Sequence, residues 1–188
     1  AQDFVYPNTN LLMNFLDNHD IDRFSTAVKG DVRKFKMGLA LLLTTRGYPQ
    51  IYYGTEIMLD GIAGSYEGHR FDFPGGWKED KRDAFTKTSR TDAENEVFNY
   101  LRTLLNYRKN NPVLQNGRMK QFIPQDGIYV YFRYNDQKTL MIVANNNEEE
   151  KYVDVKRFSE IIRFNNVGSE ITSGVSINLN ELKVPAKT

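Results

Sequence analysis

Near residue 113 the hydrophobic period of this 188-residue chain changes, and that change restricts the fold more than any other feature. Before it, helical spacing alternates with short apolar runs; after it, apolar and polar residues alternate. Leu11-Leu12-Met13-Asn14-Phe15-Leu16 is almost continuously apolar, the pattern of a strand buried on both faces of a parallel sheet. A helix follows, with Asp31 as its N-cap, Val32, Phe35, Leu39, Leu42 and Leu43 as its inner stripe, and Gly47 then Pro49 closing it. Gln50 to Gly54 reads as a second buried strand, ending near Glu56. Strand, helix, strand with short links is a βαβ unit, whose crossover is right-handed.

Residues 59–90 form a long irregular stretch rich in glycine. Its aromatic residues, among them Phe71, Phe73 and Trp77, are too many for a disordered linker. Thr91 and Glu94 then form a capping box that opens a helix with Val97, Phe98, Leu101, Leu104 and Leu105 on its inner face; Asn111-Pro112 ends it. Beyond Pro112, residues 117–122, 127–134, 139–145, 151–155 and 175–179 read as strands. Tyr129, Tyr131 and Arg133 fall on one face and Val130, Phe132 and Tyr134 on the other. Turns are expected at Gln125-Asp126-Gly127, Asn135-Asp136 and Asn145-Asn146-Asn147. The expected division is 1–112 and 113–188.

Lys and Arg number 25 against 24 Asp and Glu, so charge gives no reason to propose nucleic acid or an anionic membrane as partner. With no cysteine there is neither a disulfide framework nor thiol chemistry. No apolar run reaches the roughly 18 residues of a membrane span, and Ala1-Gln2-Asp3 shows no charged-then-apolar leader. Both ends read as cut from a longer chain.

The polar cluster Asp17-Asn18-His19-Asp20, where the first apolar run stops, is the strongest candidate for chemistry. Ligands of α/β folds bind at the C-terminal edge of the strands. A lone His is more often a satisfied core residue, and an Asp after a strand more often a cap. Here His19 and Asp20 sit together, and both reach one cavity only if the backbone leaves strand geometry.

Phe15-Leu16-Asp17-Asn18-His19-Asp20 resembles the fourth signature region of the α-amylase family, at the end of its seventh barrel strand. Gly47 to Gly54 with Glu56 resembles that family's eighth strand. Arg70 to Trp77 and Lys81 to Phe85 are similar to the neopullulanase and cyclomaltodextrinase branch, and Tyr107 to Leu114 to the last barrel helix. The resemblance implies an α/β plus all-β protein: the last part of a (β/α)8 TIM barrel at 1–112 and most of an antiparallel β-sandwich at 113–188. It implies catalytic roles for His19 and Asp20, which would grip hydroxyls of the cleaved glucose ring as it flattens toward an oxocarbenium ion. Asn18, Arg23, Tyr66, Phe71 and Trp77 are substrate-binding candidates, Asn18 also as a turn former, Arg23 by touching a sugar or pairing with a loop carboxylate, and the aromatics by stacking. The partner would be an α-glucan oligosaccharide.

In that family the nucleophile and general acid lie on the fourth and fifth strands, ahead of Ala1. The resemblance therefore implies a retaining α-glucan hydrolase or transglycosylase as the whole protein and an inactive piece here. No metal site or cofactor is evident in these residues; calcium and oligomeric state stay open, and bacterial periplasm and cytoplasm both fit the branch. Two rivals stand beside this reading. A catalytically dead amylase-like interaction protein would have no need of Asn18-His19-Asp20. A carbohydrate-binding module would cluster surface aromatics on residues 113–188.

Overall fold

Tyr48 N donates to Leu12 O at 3.0 Å and Gln50 N to Asn14 O at 2.7 Å. Two bonds that advance two residues along each strand in the same direction are a parallel register. Strands β1 (Met13–Asn14) and β2 (Tyr48–Pro49) are joined through α1 (Phe24–Ala27) and α2 (Val32–Thr44). Pro49 is tolerated because donors alternate along a strand, so its missing N–H is not one that would face β1. The computed structural model describes residues 3–64, 68–162 and 166–188.

Both strands are shorter and more open than expected. The run 11–16 is strand only at 13–14, and Leu11, Leu12, Met13 and Phe15 are 69, 36, 47 and 40% exposed rather than buried. Burial of a parallel strand needs neighbours on both edges and layers on both faces; among the described residues β1 has one strand neighbour. Gln50 to Gly54 is not a strand either. Pairing stops at Gln50, and the chain turns through Gly54, at φ +82°, into a 3-10 turn over Thr55–Ile57.

The chain folds as two compact units, residues 13–42 with 49–103, and residues 1–12 with 43–48 and 104–188. In the first, Asp31 Oδ1 accepts from Arg33 N and Lys34 N at the start of α2. Phe35, Leu39 and Leu42 are buried along it. A Cβ on Gly38 would stand 2.3 Å from the Phe24 ring, so any other residue there has to displace that ring. Helix α3 (Asp92–Lys109) opens with the expected capping box, Thr91 N to Glu94 Oε2 at 2.7 Å and Glu94 N to Thr91 Oγ1 at 3.2 Å. Val97 and Leu101 are buried, and Lys36 pairs with Glu96 at 2.8 Å.

In the second unit Leu104 is buried on the same helix, while Leu105 faces solvent, one position outside the stripe. Pro112 opens a further short helix, α4 (Pro112–Asn116). Strands β3 (Arg118–Gln121), β4 (Ile128–Tyr134) and β5 (Thr139–Asn145) form an antiparallel sheet with β4 central. Asp126 and Gly127 both have positive φ, as an Asp-Gly hairpin turn requires. Val130 and Phe132 pack with Val153, Phe158, Ile162, Leu182 and Val184. These come from β6 (Lys151–Tyr152) with β9 (Lys183–Val184), from the turns beside them, and from α5 (Ser159–Ile162). Strands β7 (Val167–Ser169) and β8 (Ser176–Asn178) pair separately.

The other face of β4 is buried too, around charge. Arg133 donates to Thr44 O and Thr45 O, and Arg108 to Leu43 O and Gly47 O, so two guanidiniums serve carbonyls at the end of α2 and just beyond it. Burial and the Arg108 charge bring the Arg133 pKa down to about 10, which leaves it charged at neutral pH. Tyr131 hydroxyl meets Thr44 Oγ1 at 2.5 Å. Among the described residues no helix is long and apolar enough to cross a membrane.

Candidate functional site

After β1 the backbone leaves strand geometry, and Asp17 is the reason it turns where it does. Its buried carboxylate accepts from Phe24 N at 3.0 Å and from Thr55 Oγ1 at 3.1 Å, tying the start of α1 to the turn beyond β2. Asn18 Oδ1 accepts from Asp20 N at 2.8 Å, an Asx turn that sets the next two side chains side by side. His19 Nε2 and Asp20 Oδ2 are 3.3 Å apart, with side chains 63 and 66% exposed. A polar contact so exposed adds little to stability. Its polar atoms are open to a ligand.

Arg70 completes the cluster. Its Nη2 lies 3.5 Å from Asp20 Oδ1 and its Nε donates to the His19 carbonyl at 2.9 Å. His69, buried beneath, places Nε2 2.6 Å from the same oxygen. The sequence reading missed both residues. The available signal was that the chain has two histidines, each beside a charged residue.

Arg23, a substrate-binding candidate from sequence, is 1% exposed. Nε donates to His69 O at 2.9 Å and Nη1 to Tyr53 O at 2.5 Å, and the guanidinium lies 4.0 Å over the Tyr52 ring and 4.7 Å from that of Tyr53. Its contacts are to loop backbone and aromatic faces. Phe71 is exposed, and its carbonyl accepts from Tyr53 hydroxyl at 2.6 Å; burial pushes the Tyr53 phenol up. Trp77 is 67% exposed on a turn fixed by Asp80, whose Oδ2 accepts from Gly75 N and Trp77 N. Phe85, also exposed and 4.6 Å from the Phe73 ring, is an aromatic that sequence reasoning left out of the site. Tyr66 lies outside the described residues. Glu56 is half-buried in the turn after β2.

Several loop carboxylates are occupied by backbone. Asp22 accepts from Ala63 N, Asp80 from two N–H groups, and Asp83 from Phe85 N. Among the described residues no group of three His, Asp or Glu could hold a metal ion. The large exposed aromatic described within 113–188 is Tyr152, whose hydroxyl donates to Asn180 O. Clustered surface aromatics of the kind a binding module would show on that part are not seen among the described residues.

Residues 2–117 match the family described as alpha amylase, catalytic domain, and residues 119–188 match the cyclo-malto-dextrinase C-terminal domain. A cyclomaltodextrin glucanotransferase of Geobacillus stearothermophilus is 34% identical over 140 residues, 74% of this chain and 17% of that protein. A cyclomaltodextrinase of a Bacillus species is 31% identical over 152 residues, 76% of this chain and 24% of the other. The crystal structure of an α-amylase from Geobacillus thermoleovorans, complexed with acarbose, superposes with a TM-score of 0.73 at 25% identity, covering 95% of this chain and 38% of that one. The chain thus spans less than two fifths of each of these three proteins.

Proposed function

The chain belongs to the α-amylase family, and on that premise we propose that it supplies one wall of the active site of a retaining α-glucan glycoside hydrolase. The observation that carries the reading is the His19–Asp20 pair, 3.3 Å apart and open to solvent, in a segment that matches the family's catalytic domain. Imidazole N–H and carboxylate are complementary donor and acceptor for vicinal sugar hydroxyls. Contacts that tighten as the ring flattens stabilise the transition state more than the ground state. Phe71 and Trp77 offer exposed ring faces for stacking on neighbouring glucose units. Asn18 sets the turn, and Arg23 acts by holding the loop rather than by touching sugar.

In this reading residues 1–112 are the last part of a (β/α)8 barrel and 113–188 a β-sandwich. The separate family matches at 2–117 and 119–188 support a boundary in that neighbourhood. The nucleophile and acid of a retaining enzyme stand about 5–5.5 Å apart. In the α-amylase family they stand on the fourth and fifth barrel strands, so in this reading they come from polypeptide outside these 188 residues; of the carboxylates here, Asp17, Asp22, Asp80 and Asp83 are engaged in turns. The substrates are malto-oligosaccharides, cyclodextrins or pullulan, with α-1,4 and α-1,6 bonds as targets.

Purified chain incubated with maltoheptaose and with pullulan is expected to release no reducing sugar above the buffer control. Turnover above that control sinks the division of labour. A longer chain that carries these residues and remains inactive on every α-glucan sinks the functional reading itself.

A further inference from the structure

Two donors from one loop converge on a single backbone oxygen. The His19 carbonyl receives Nε2 of His69 at 2.6 Å and Nε of Arg70 at 2.9 Å. A carbonyl oxygen only accepts, so the 2.6 Å contact requires the proton on Nε2 of His69. No lone pair then remains on Nε2 for Arg70 Nε, 3.4 Å away, and that donor goes to the same oxygen. The His19 carbonyl belongs to the peptide that joins His19 to Asp20. Holding its oxygen sets the plane from which both side chains project.

His69 is itself held. The hold is through its backbone, whose carbonyl accepts from Arg23 Nε at 2.9 Å. The loop is pinched where Gly61 meets Gly68: a Cβ on Gly61 would lie 1.8 Å from Gly68 O. Gly61 is fastened to α1 and its approach by three bonds, its N to Thr26 Oγ1, and its O from Thr26 Oγ1 and Arg23 N. The chain from His19 to Thr26 therefore closes on Gly61 and on His69–Arg70, with the His69 ring as the inner link. At 5% exposure, beneath a pair more than half exposed, that ring does not face the ligand space itself.

We infer that His69 is a positioning residue for the His19–Asp20 pair, donating from Nε2 to the His19 carbonyl, with Arg70 as the second donor at the rim. The inference rests on the reading that this pair grips the reacting sugar ring. A misplacement of about 1 Å at such a pair costs on the order of a hundredfold in rate, so loss of the inner link appears in kcat more than in KM.

The test uses His69→Gln and His69→Asn in the complete enzyme that carries this chain. Both side chains are polar and uncharged, but glutamine presents its amide nitrogen near the place of Nε2 and asparagine near that of Nδ1. On maltoheptaose, H69N is expected to lose at least about tenfold in kcat with KM within about threefold, and H69Q to recover most of that loss. Crystal structures of the two variants add an activity-independent measure: the 19–20 peptide rotates in H69N and stays in place in H69Q. Equal kcat in the two variants, or an unmoved peptide in H69N, overturns the assignment. Inactivity of the unsubstituted enzyme on all α-glucans overturns the functional reading instead, while the crystallographic comparison still decides whether His69 holds the peptide.

Discussion

Phe132 and Arg23 are both fully buried, yet they hold their surroundings by different means. Phe132 fills space between β4 and the elements packed on it, with ring neighbours Phe122 at 5.8 Å and Phe158 at 5.9 Å. Arg23 fills at least as much space, but it also occupies carbonyls, Tyr53 O and His69 O, that an irregular loop leaves without partners in a ladder. A strand satisfies its own backbone through its neighbours, so its side chains are free to supply volume. A loop does not, so a charged side chain is drawn inside to supply donors.

That contrast can be broken by four substitutions, taken from the largest expected effect. Phe132→Ala removes a whole ring from a closed core and should cost about 3–5 kcal/mol in denaturant unfolding; a loss below about 1 kcal/mol means the core is not what holds the sheet. Arg23→Met keeps the volume and removes the donors. It should cost about 1–3 kcal/mol and bring proteolytic nicking into residues 59–73; an unchanged cleavage pattern means the loop has other fastenings that suffice. Asp20→Asn, at an exposed pair, should change stability by less than about 0.5 kcal/mol. A larger loss would make the pair structural and remove the argument that it is held open for a ligand.

The smallest effect depends on pH. Burial pushes Glu170 up, but hydrogen bonds from Thr172 and Ser173 outweigh it and leave its pKa below the ordinary 4.5. A carboxylate depressed on folding contributes stability that is complete above its unfolded pKa and is lost as pH falls through the folded one. The thermal midpoint of the unsubstituted chain should exceed that of Glu170→Gln near neutral pH and converge with it below the ordinary carboxylate value. A gap that stays constant from pH 7 to pH 3 would rule this out.

The elements that were legible in advance are those whose cause is local. The capping box at Thr91 and Glu94, the Asp31 N-cap, the Asp-Gly turn and the alternating faces of β4 each depend on residues within a few positions of one another. The apolar run at 11–16 misled because a continuous run reports what a strand could bury, not what lies beside it. With one strand neighbour among the described residues, β1 stays short and open. Arg133 was assigned correctly to a face of β4, but its partners on Thr44 and Thr45 lie about ninety positions away and carry no mark in the sequence.

At the site the division is the same. The cluster Asp17 to Asp20 was legible from order alone, because an apolar run ending in polar residues is a local pattern; its family resemblance rested on the identity of those residues. That His19 and Asp20 meet at 3.3 Å, that Arg23 is turned inward under two tyrosine rings, and that His69 reaches back fifty residues to the His19 carbonyl were decided by tertiary structure. Each depends on which backbone oxygens the folded loop leaves open, and an unsatisfied carbonyl does not exist until the chain has closed around it.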